Sequence, residues 1–197
     1  MAFADWFSTR SPLRLEGGGV TLRPYRSGDY AEWAEVRLAS RDFLQPWEPI
    51  WPEDDLTRAG YRRRLLAYQR EIELGTGFPF LVFRDGRLVG GISLNNVRRG
   101  IAQMATVGYW SSVTARRQGN TLAAVKVAAE FAFGPLGLHR LEAACVPTNE
   151  ASKNLLLRAG FREEGYASAY LKINGEWRDH LTFGLLASEF RASCARN

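Results

Sequence analysis

The feature that most constrains this chain is a strand–turn–helix–strand passage in its second half. Ala105-Thr106-Val107-Gly108-Tyr109-Trp110 is a short apolar run of β character. A turn follows, holding Arg116, Arg117, Gln118, Gly119, Asn120 and Thr121. Leu122 to Phe133 is an alanine-rich amphipathic run, stopped by Gly134-Pro135-Leu136-Gly137. Arg140 to Val146 is a further strand. Two strands joined through a helix lie parallel in one sheet, with a right-handed crossover.

The turn at the head of that helix has the chemistry of an anion site. Backbone N–H groups of the first helical turn point outward, and the helix dipole is positive there. Arg116 and Arg117 add full charge, and Gly119 lets the backbone approach a phosphate closely. The same residues also suit an ordinary joint with solvated arginines, and the turn by itself does not separate the two readings.

Elsewhere the chain reads as a mixed α/β fold. Residues 1–19 form a short arm that ends in Gly17-Gly18-Gly19, and residues 20–197 form one domain with no linker or repeat. Val20 to Tyr25 alternates as a half-buried strand, and Ser27-Gly28-Asp29 offers capping for a helix through Ser40. Arg41 to Glu53 interleaves Pro46, Pro49 and Pro52 with Phe43, Leu44, Trp47, Ile50 and Trp51. Proline forbids a regular helix there, which leaves an aromatic binding rim or a loop packed down by its rings. Asp54 to Glu73 is a long helix. Phe78–Phe83 and Leu88–Leu94 make a hairpin about Asp85-Gly86, and Phe161–Ile173 with Trp177–Leu185 make another about Asn174-Gly175. Glu150 to Ala159 is a short helix closed by Gly160, and a helical tail starts at Ala187.

Composition excludes several classes. The chain has 197 residues, 46% hydrophobic and 24% charged, which suits one globular core. No apolar run approaches membrane length, and the N-terminus has no basic and apolar signal pattern, so a cytoplasmic location is expected. The net charge of +5 favours anionic ligands, but its lysines and arginines are dispersed, so direct nucleic-acid binding is not expected. Cys145 and Cys194 have no metal spacing, and His139 and His180 are too far apart for a ligand pair, so no metal is expected.

The order of these elements resembles the GNAT acetyltransferase family, which has a mixed, mostly antiparallel sheet with one splayed parallel pair and flanking helices. Arg116-x-x-Gly119-x-Thr121 is similar to the family's Gln/Arg-x-x-Gly-x-Gly/Ala turn, with Thr121 departing from the small last residue. Asn149-Glu150-Ala151-Ser152-Lys153-Asn154 and Arg158-Ala159-Gly160-Phe161 resemble its second cofactor segment. Phe43-Leu44-Gln45-Pro46-Trp47-Glu48-Pro49, Asn96–Gly100 and Glu164–Ala167 resemble the RimJ/RimL branch, and Tyr170–His180 resembles its RimJ-type members. That branch acetylates the N-terminal residue of ribosomal proteins.

The resemblance implies an acetyl-CoA-dependent N-acetyltransferase, working by direct transfer to the N-terminal alanine or serine amine of a protein. It places the backbones of Trp110, Ser111, Ser112 and Val113 on pantetheine. Arg116, Arg117, Gln118, Gly119, Asn120 and Thr121 fall on the pyrophosphate. Asn149 falls on the pantetheine arm, where it also suits a helix cap, and Asn154 lies nearer the nucleotide. Ser152 is the candidate acid beside the sulfur and Glu164 the candidate base through water, with Tyr170 and His180 as alternatives. Phe43, Trp47, Glu48 and Trp51 form one wall of an acceptor groove, and the final hairpin, with Tyr170, forms the other. A monomer or homodimer suits this scheme. An acetyltransferase for a small-molecule amine and a non-catalytic acyl-CoA-binding module are the competing readings.

Overall fold

The computed structural model describes residues 13–194, so residues 1–12 of the expected arm and the last residues of the tail lie outside the described residues. Eight strands form one sheet: β1 (Leu15–Gly17), β2 (Val20–Arg23), β3 (Phe78–Arg84), β4 (Arg87–Arg98), β5 (Met104–Ser111), β6 (Arg140–Cys145), β7 (Arg162–Ile173) and β8 (Glu176–Leu186). Their order is β1-β2-β3-β4-β5-β6-β8-β7. Every neighbouring pair is antiparallel except β5 and β6.

The helices are α1 (Tyr30–Ala39), α2 (Arg41–Leu44), α3 (Arg58–Leu74), α4 (Asn120–Phe133), α5 (Glu150–Arg158) and α6 (Ala187–Cys194). Alternation along the strands sorts the core onto two faces. Phe78, Phe80 and Val82 of β3 meet Ile92, Leu94 and α4 residues Ala124, Val125, Ala128 and Phe131 on one face. Leu81, Phe83 and Leu88 meet Trp33 of α1 and Tyr61 of α3 on the other. Each large apolar side chain buried this fully contributes about 1.5–3 kcal/mol.

The parallel pair is joined only at its start. Met104, Ala105 and Thr106 lie opposite Arg140, Leu141 and Glu142. Beyond these, β5 stays with β4 as far as Ser111, and β6 stays with β8 as far as Cys145. The two strands therefore part, and a gap opens between their C-terminal ends.

Local chemistry shifts several expected boundaries. Of the three glycines that end the arm, Gly17 closes β1, which pairs with β2, and Gly18 and Gly19 form the turn between them. Ser27–Asp29 forms a 3-10 turn without a side-chain cap for α1; Asp29 instead holds Arg23 in two 2.7 Å bonds and accepts from the Arg26 N–H at 2.8 Å. The expected loop after Ser40 begins with α2 and a 3-10 turn, Gln45–Trp47. α3 starts at Arg58, because Thr57 caps it at 3.1 Å and the Asp54 carbonyl packs where a Cβ on Gly60 would stand. Both hairpin turns have two successive positive φ angles, Asp85 and Gly86 at 49° and 76°, and Asn174 and Gly175 at 46° and 87°. That is the turn whose twist matches paired strands. Among the described residues, no helix is long and apolar enough to cross a membrane, and no three His, Cys, Asp or Glu side chains gather to hold a metal.

Candidate active site

The gap between β5 and β6 widens into a cleft of about 810 Å³. Its β5 edge can be read from the ladder. The Ser112 N–H bonds the Val89 carbonyl at 2.9 Å, continuing the β4–β5 pairing. Hydrogen-bonding direction alternates along a strand, so Trp110 bonds toward β4, while Tyr109 and Ser111 turn their backbone groups into the gap. The Trp110 indole lies over Gly91, where a Cβ would collide with it.

One end of the cleft is basic. Gly119 occupies the N-cap of α4 with φ 78° and no side-chain cap. The first intrahelical bond to it comes from the Ala123 N–H at 3.0 Å, so the N–H groups of Asn120, Thr121 and Leu122 are the orphan donors of the first turn. A Cβ on Gly119 meets nothing within 4 Å, so the loop leaves space above it. Arg116 and Arg117 line this end, with the Arg116 guanidinium 4.3 Å from the Phe43 ring centre. Asn120 is buried and accepts from Arg84 at 2.9 Å, which fixes the loop to β3. Gln118 turns back to the Thr114 carbonyl at 3.4 Å and does not line the cleft. Asn154 does line it, as does Arg158, which the sequence reading passes over.

At the middle of the cleft, Asn149 caps α5 by accepting from the Ser152 N–H at 3.1 Å. The cap uses Oδ1 and leaves the Nδ2–H donors for another acceptor. The Ser152 hydroxyl lies 2.8 Å from the Tyr109 hydroxyl across the gap. Burial pushes the Tyr109 phenol well above its ordinary value, against the opposing effect of the Ser152 hydrogen bond. Cys145, at the end of β6, also lines the cleft, and burial pushes its thiol up.

The far end is aromatic. Phe43, Trp47 and Glu48 face Leu171, Ile173 and His180 of the last hairpin. The Asn174 N–H donates to the Glu48 carbonyl at 2.8 Å and ties the two walls together. The Glu48 carboxylate is held by Arg37 in bonds of 2.8 and 2.7 Å, and it accepts from Trp51 Nε1 at 2.7 Å. Arg37 is itself packed between Trp51, at 4.1 Å, and Trp110, at 5.0 Å. Trp51 thus supports Glu48 from behind and does not line the cleft. His180 is buried, its Nδ1 is 2.9 Å from the Arg178 carbonyl, and the Tyr170 ring stands edge-on to it at 5.6 Å. Tyr170 lies outside the cleft lining and touches the site through His180.

Besides Gln118, Trp51 and Tyr170, three further expected residues are not brought into the cleft. Ser112 is buried with its N–H on Val89, and the Val113 N–H donates to Ser40 at 3.0 Å, so neither N–H faces the gap. Glu164 is paired with Arg140, at the opposite end of β6 from Cys145. Its carboxylate lies beside Gly184, which pairs with Glu142 of β6, and it does not line the cleft. The Arg140 guanidinium holds the Glu164 carboxyl below its ordinary value, which makes it a weaker base. Arg37 and Tyr109 are the principal residues missed. Strand alternation after Ser112 would have singled out Tyr109, whereas Arg37 carries no local signal.

A model of the acetyltransferase (GNAT) domain matches residues 20–162. The chain is 35% identical over 174 residues to the probable N-acetyltransferase YjcK of Bacillus subtilis, covering 87% of this chain and 96% of that one. It is 30% identical over 180 residues to the ribosomal protein uS5-alanine N-acetyltransferase of Escherichia coli, covering 90% and 93%. Mycobacterium smegmatis RimJ, solved in complex with CoA-disulfide, superposes with a TM-score of 0.82 at 33% identity over 94% of both chains.

Proposed function

Because the chain belongs to the GNAT acetyltransferase family and is an N-acetyltransferase, we propose that it acetylates the N-terminal α-amine of a protein. The acceptor would begin with alanine or serine and belong to the ribosome, the substrate class named for the Escherichia coli relative. The observation that carries this reading is the aromatic end of the cleft. It is walled by Phe43, Trp47 and Glu48 opposite Leu171 and Ile173. Leu171 is 44% exposed at its rim, so the site meets the surface where an extended chain can enter N-terminus first. The rings suit a short first side chain, and Glu48, held by Arg37 and Trp51, shapes the wall beside them.

The residues present fit acetyl-CoA. The space above Gly119, the orphan donors of α4, Arg116 and Arg117 suit a pyrophosphate. Tyr109 and Ser111 offer a strand edge to the pantetheine arm, in place of the missing strand neighbour. Asn149 offers its Nδ2–H groups to the same arm. Acetyl-CoA supplies an acyl group activated as a thioester, and the cleft brings it beside the amine, which can lower the barrier by several kcal/mol.

His180 takes the ammonium proton. A carbonyl only accepts, so His180 Nδ1 carries a hydrogen toward Arg178 and Nε2 keeps the lone pair. Ser152 donates to the departing sulfur. Glu164 has no part in this scheme.

The test is incubation with acetyl-CoA and a panel of peptides differing in their first residue, with products located by mass spectrometry. Acetylation at the α-amine of peptides beginning Ala or Ser is expected. Turnover of lysine side chains or small amines alone, with no α-amine product across the panel, would refute the reading.

A further inference from the structure

Serine is a poor acid. A hydroxyl that gives its proton to sulfur becomes an alkoxide unless another proton replaces it in the same motion. Ser152 is built to receive one. Its N–H is fixed by the Asn149 cap at 3.1 Å, which sets the first turn of α5, and its Oγ sits 2.8 Å from the Tyr109 Oη. Tyr109 reaches it from β5, the opposite wall of the gap, so the hydrogen bond spans the place where the strands part. Both residues line the cleft, together with Cys145. A serine this close to a helix start otherwise has several rotamers and competing backbone acceptors. Tyr109 selects the rotamer that faces the gap.

We infer that Tyr109 is a positioning residue for the leaving group: it orients the Ser152 hydroxyl and refills it during thiol departure. The inference rests on Ser152 being the acid, as proposed above. As the acyl carbon–sulfur bond breaks, its electron pair goes to sulfur. The Ser152 Oγ proton moves to sulfur, and the Tyr109 Oη proton moves to Oγ. The phenolate regains a proton from solvent, which has received the one released by the acylated amine. Counted from the neutral amine left once His180 has taken the ammonium proton, one further amine proton is lost and one thiol is formed. Burial disfavours the phenolate, so Tyr109 starts protonated and its proton moves only in concert with that of Ser152.

Tyr109→Phe keeps the ring and removes only the hydroxyl. Thiol release is followed with acetyl-CoA and an alanine-starting peptide, and again with water as the only acceptor, which separates this inference from the choice of acceptor. The expected result is a fall in kcat of about a hundredfold, with CoA affinity by calorimetry within about twofold. The deficit should shrink with acetyl thioesters of more acidic thiols, which need less help to leave. In Ser152→Ala the tyrosine has nothing to refill, so the double variant should be no slower than Ser152→Ala alone. An impaired Ser152→Ala beside an unimpaired Tyr109→Phe overturns the relay and leaves Ser152 as the acid. An unimpaired Ser152→Ala overturns both. A Tyr109→Phe deficit that ignores thiol acidity, or tracks weakened CoA binding, makes the residue a packing element and overturns the relay.

Discussion

Arg37→Met tests whether the acceptor wall stands on a buried ion pair. Arg37 and Glu48 meet at 2.7 Å, with side chains only 9% and 21% exposed. Removing one partner of a buried pair strands the other and costs about 3–5 kcal/mol. Part of this is offset, because Arg37 Nε is already buried without a partner, a defect worth about 1–3 kcal/mol that the substitution removes. The stacking on Trp51 and Trp110 is lost too, though the methionine sulfur recovers some of it. The net expectation is a loss of about 2–4 kcal/mol, or a Tm lowered by roughly 4–16 °C in a chain of this size. Urea unfolding should show a lower midpoint at an unchanged slope. Arg37→Met/Glu48→Leu should recover much of the loss, since no charge is then stranded, while peptide KM rises in both variants. A single-variant cost below about 1 kcal/mol would mean the pair is effectively solvated. Additivity of the two substitutions within about 0.5 kcal/mol would show that they are not coupled.

Gly119→Ala should cost about 1 kcal/mol in stability, from the positive φ alone, since its Cβ meets no atom. The same methyl intrudes on the proposed phosphate cradle, so CoA affinity by calorimetry should fall about tenfold or more; affinity within twofold of the parent would remove the loop from the site. His180→Ala should lower kcat by about a hundredfold while acetyl-CoA KM holds; an unchanged kcat would place the base elsewhere. Glu164→Gln should keep kcat within about twofold, because its partner Arg140 lies at the far end of β6. Its effect should appear in acid stability instead. The folded-state value lies below the ordinary 4.5, so the pair stabilises the fold above that pH and loses its contribution as pH falls through the folded value. The variant should therefore show a flatter acid limb of the unfolding curve, and a steeper limb or a collapsed kcat would contradict the assignment.

The architecture was legible because its signals are local. Asn174-Gly175 and Asp85-Gly86 announce their turns, and the run from Ala105 to Val146 forces one parallel pair into an otherwise antiparallel sheet. The basic end of the cleft was legible for the same reason, since Arg116 to Thr121 is a continuous loop at a helix start. The register within it was less so. Placing pantetheine on Ser112 and Val113 ran the edge past the point where β5 turns inward, and only the bonds to Val89 and Ser40 show where that happens.

The proposed catalytic centre and acceptor wall depend on contacts between separate elements, where local pattern carries no information. Ser152 acquires its partner from Tyr109, 43 positions away, and Glu48 acquires its cation from Arg37 on α1. Glu164 was plausible as a base because a strand carboxylate next to a cofactor segment often faces a site. The bulge between Glu163 and Gly165 instead directs it to Arg140. A carboxylate bonded to a guanidinium is a poor proton acceptor, and this one lies outside the cleft lining. His180 has the opposite history. The sequence gives it only as one of two alternatives, yet burial, a carbonyl that fixes its tautomer and a flanking tyrosine ring converge on it. Those surroundings orient the other imidazole nitrogen away from the Arg178 carbonyl, and they exist only once β7 and β8 have paired.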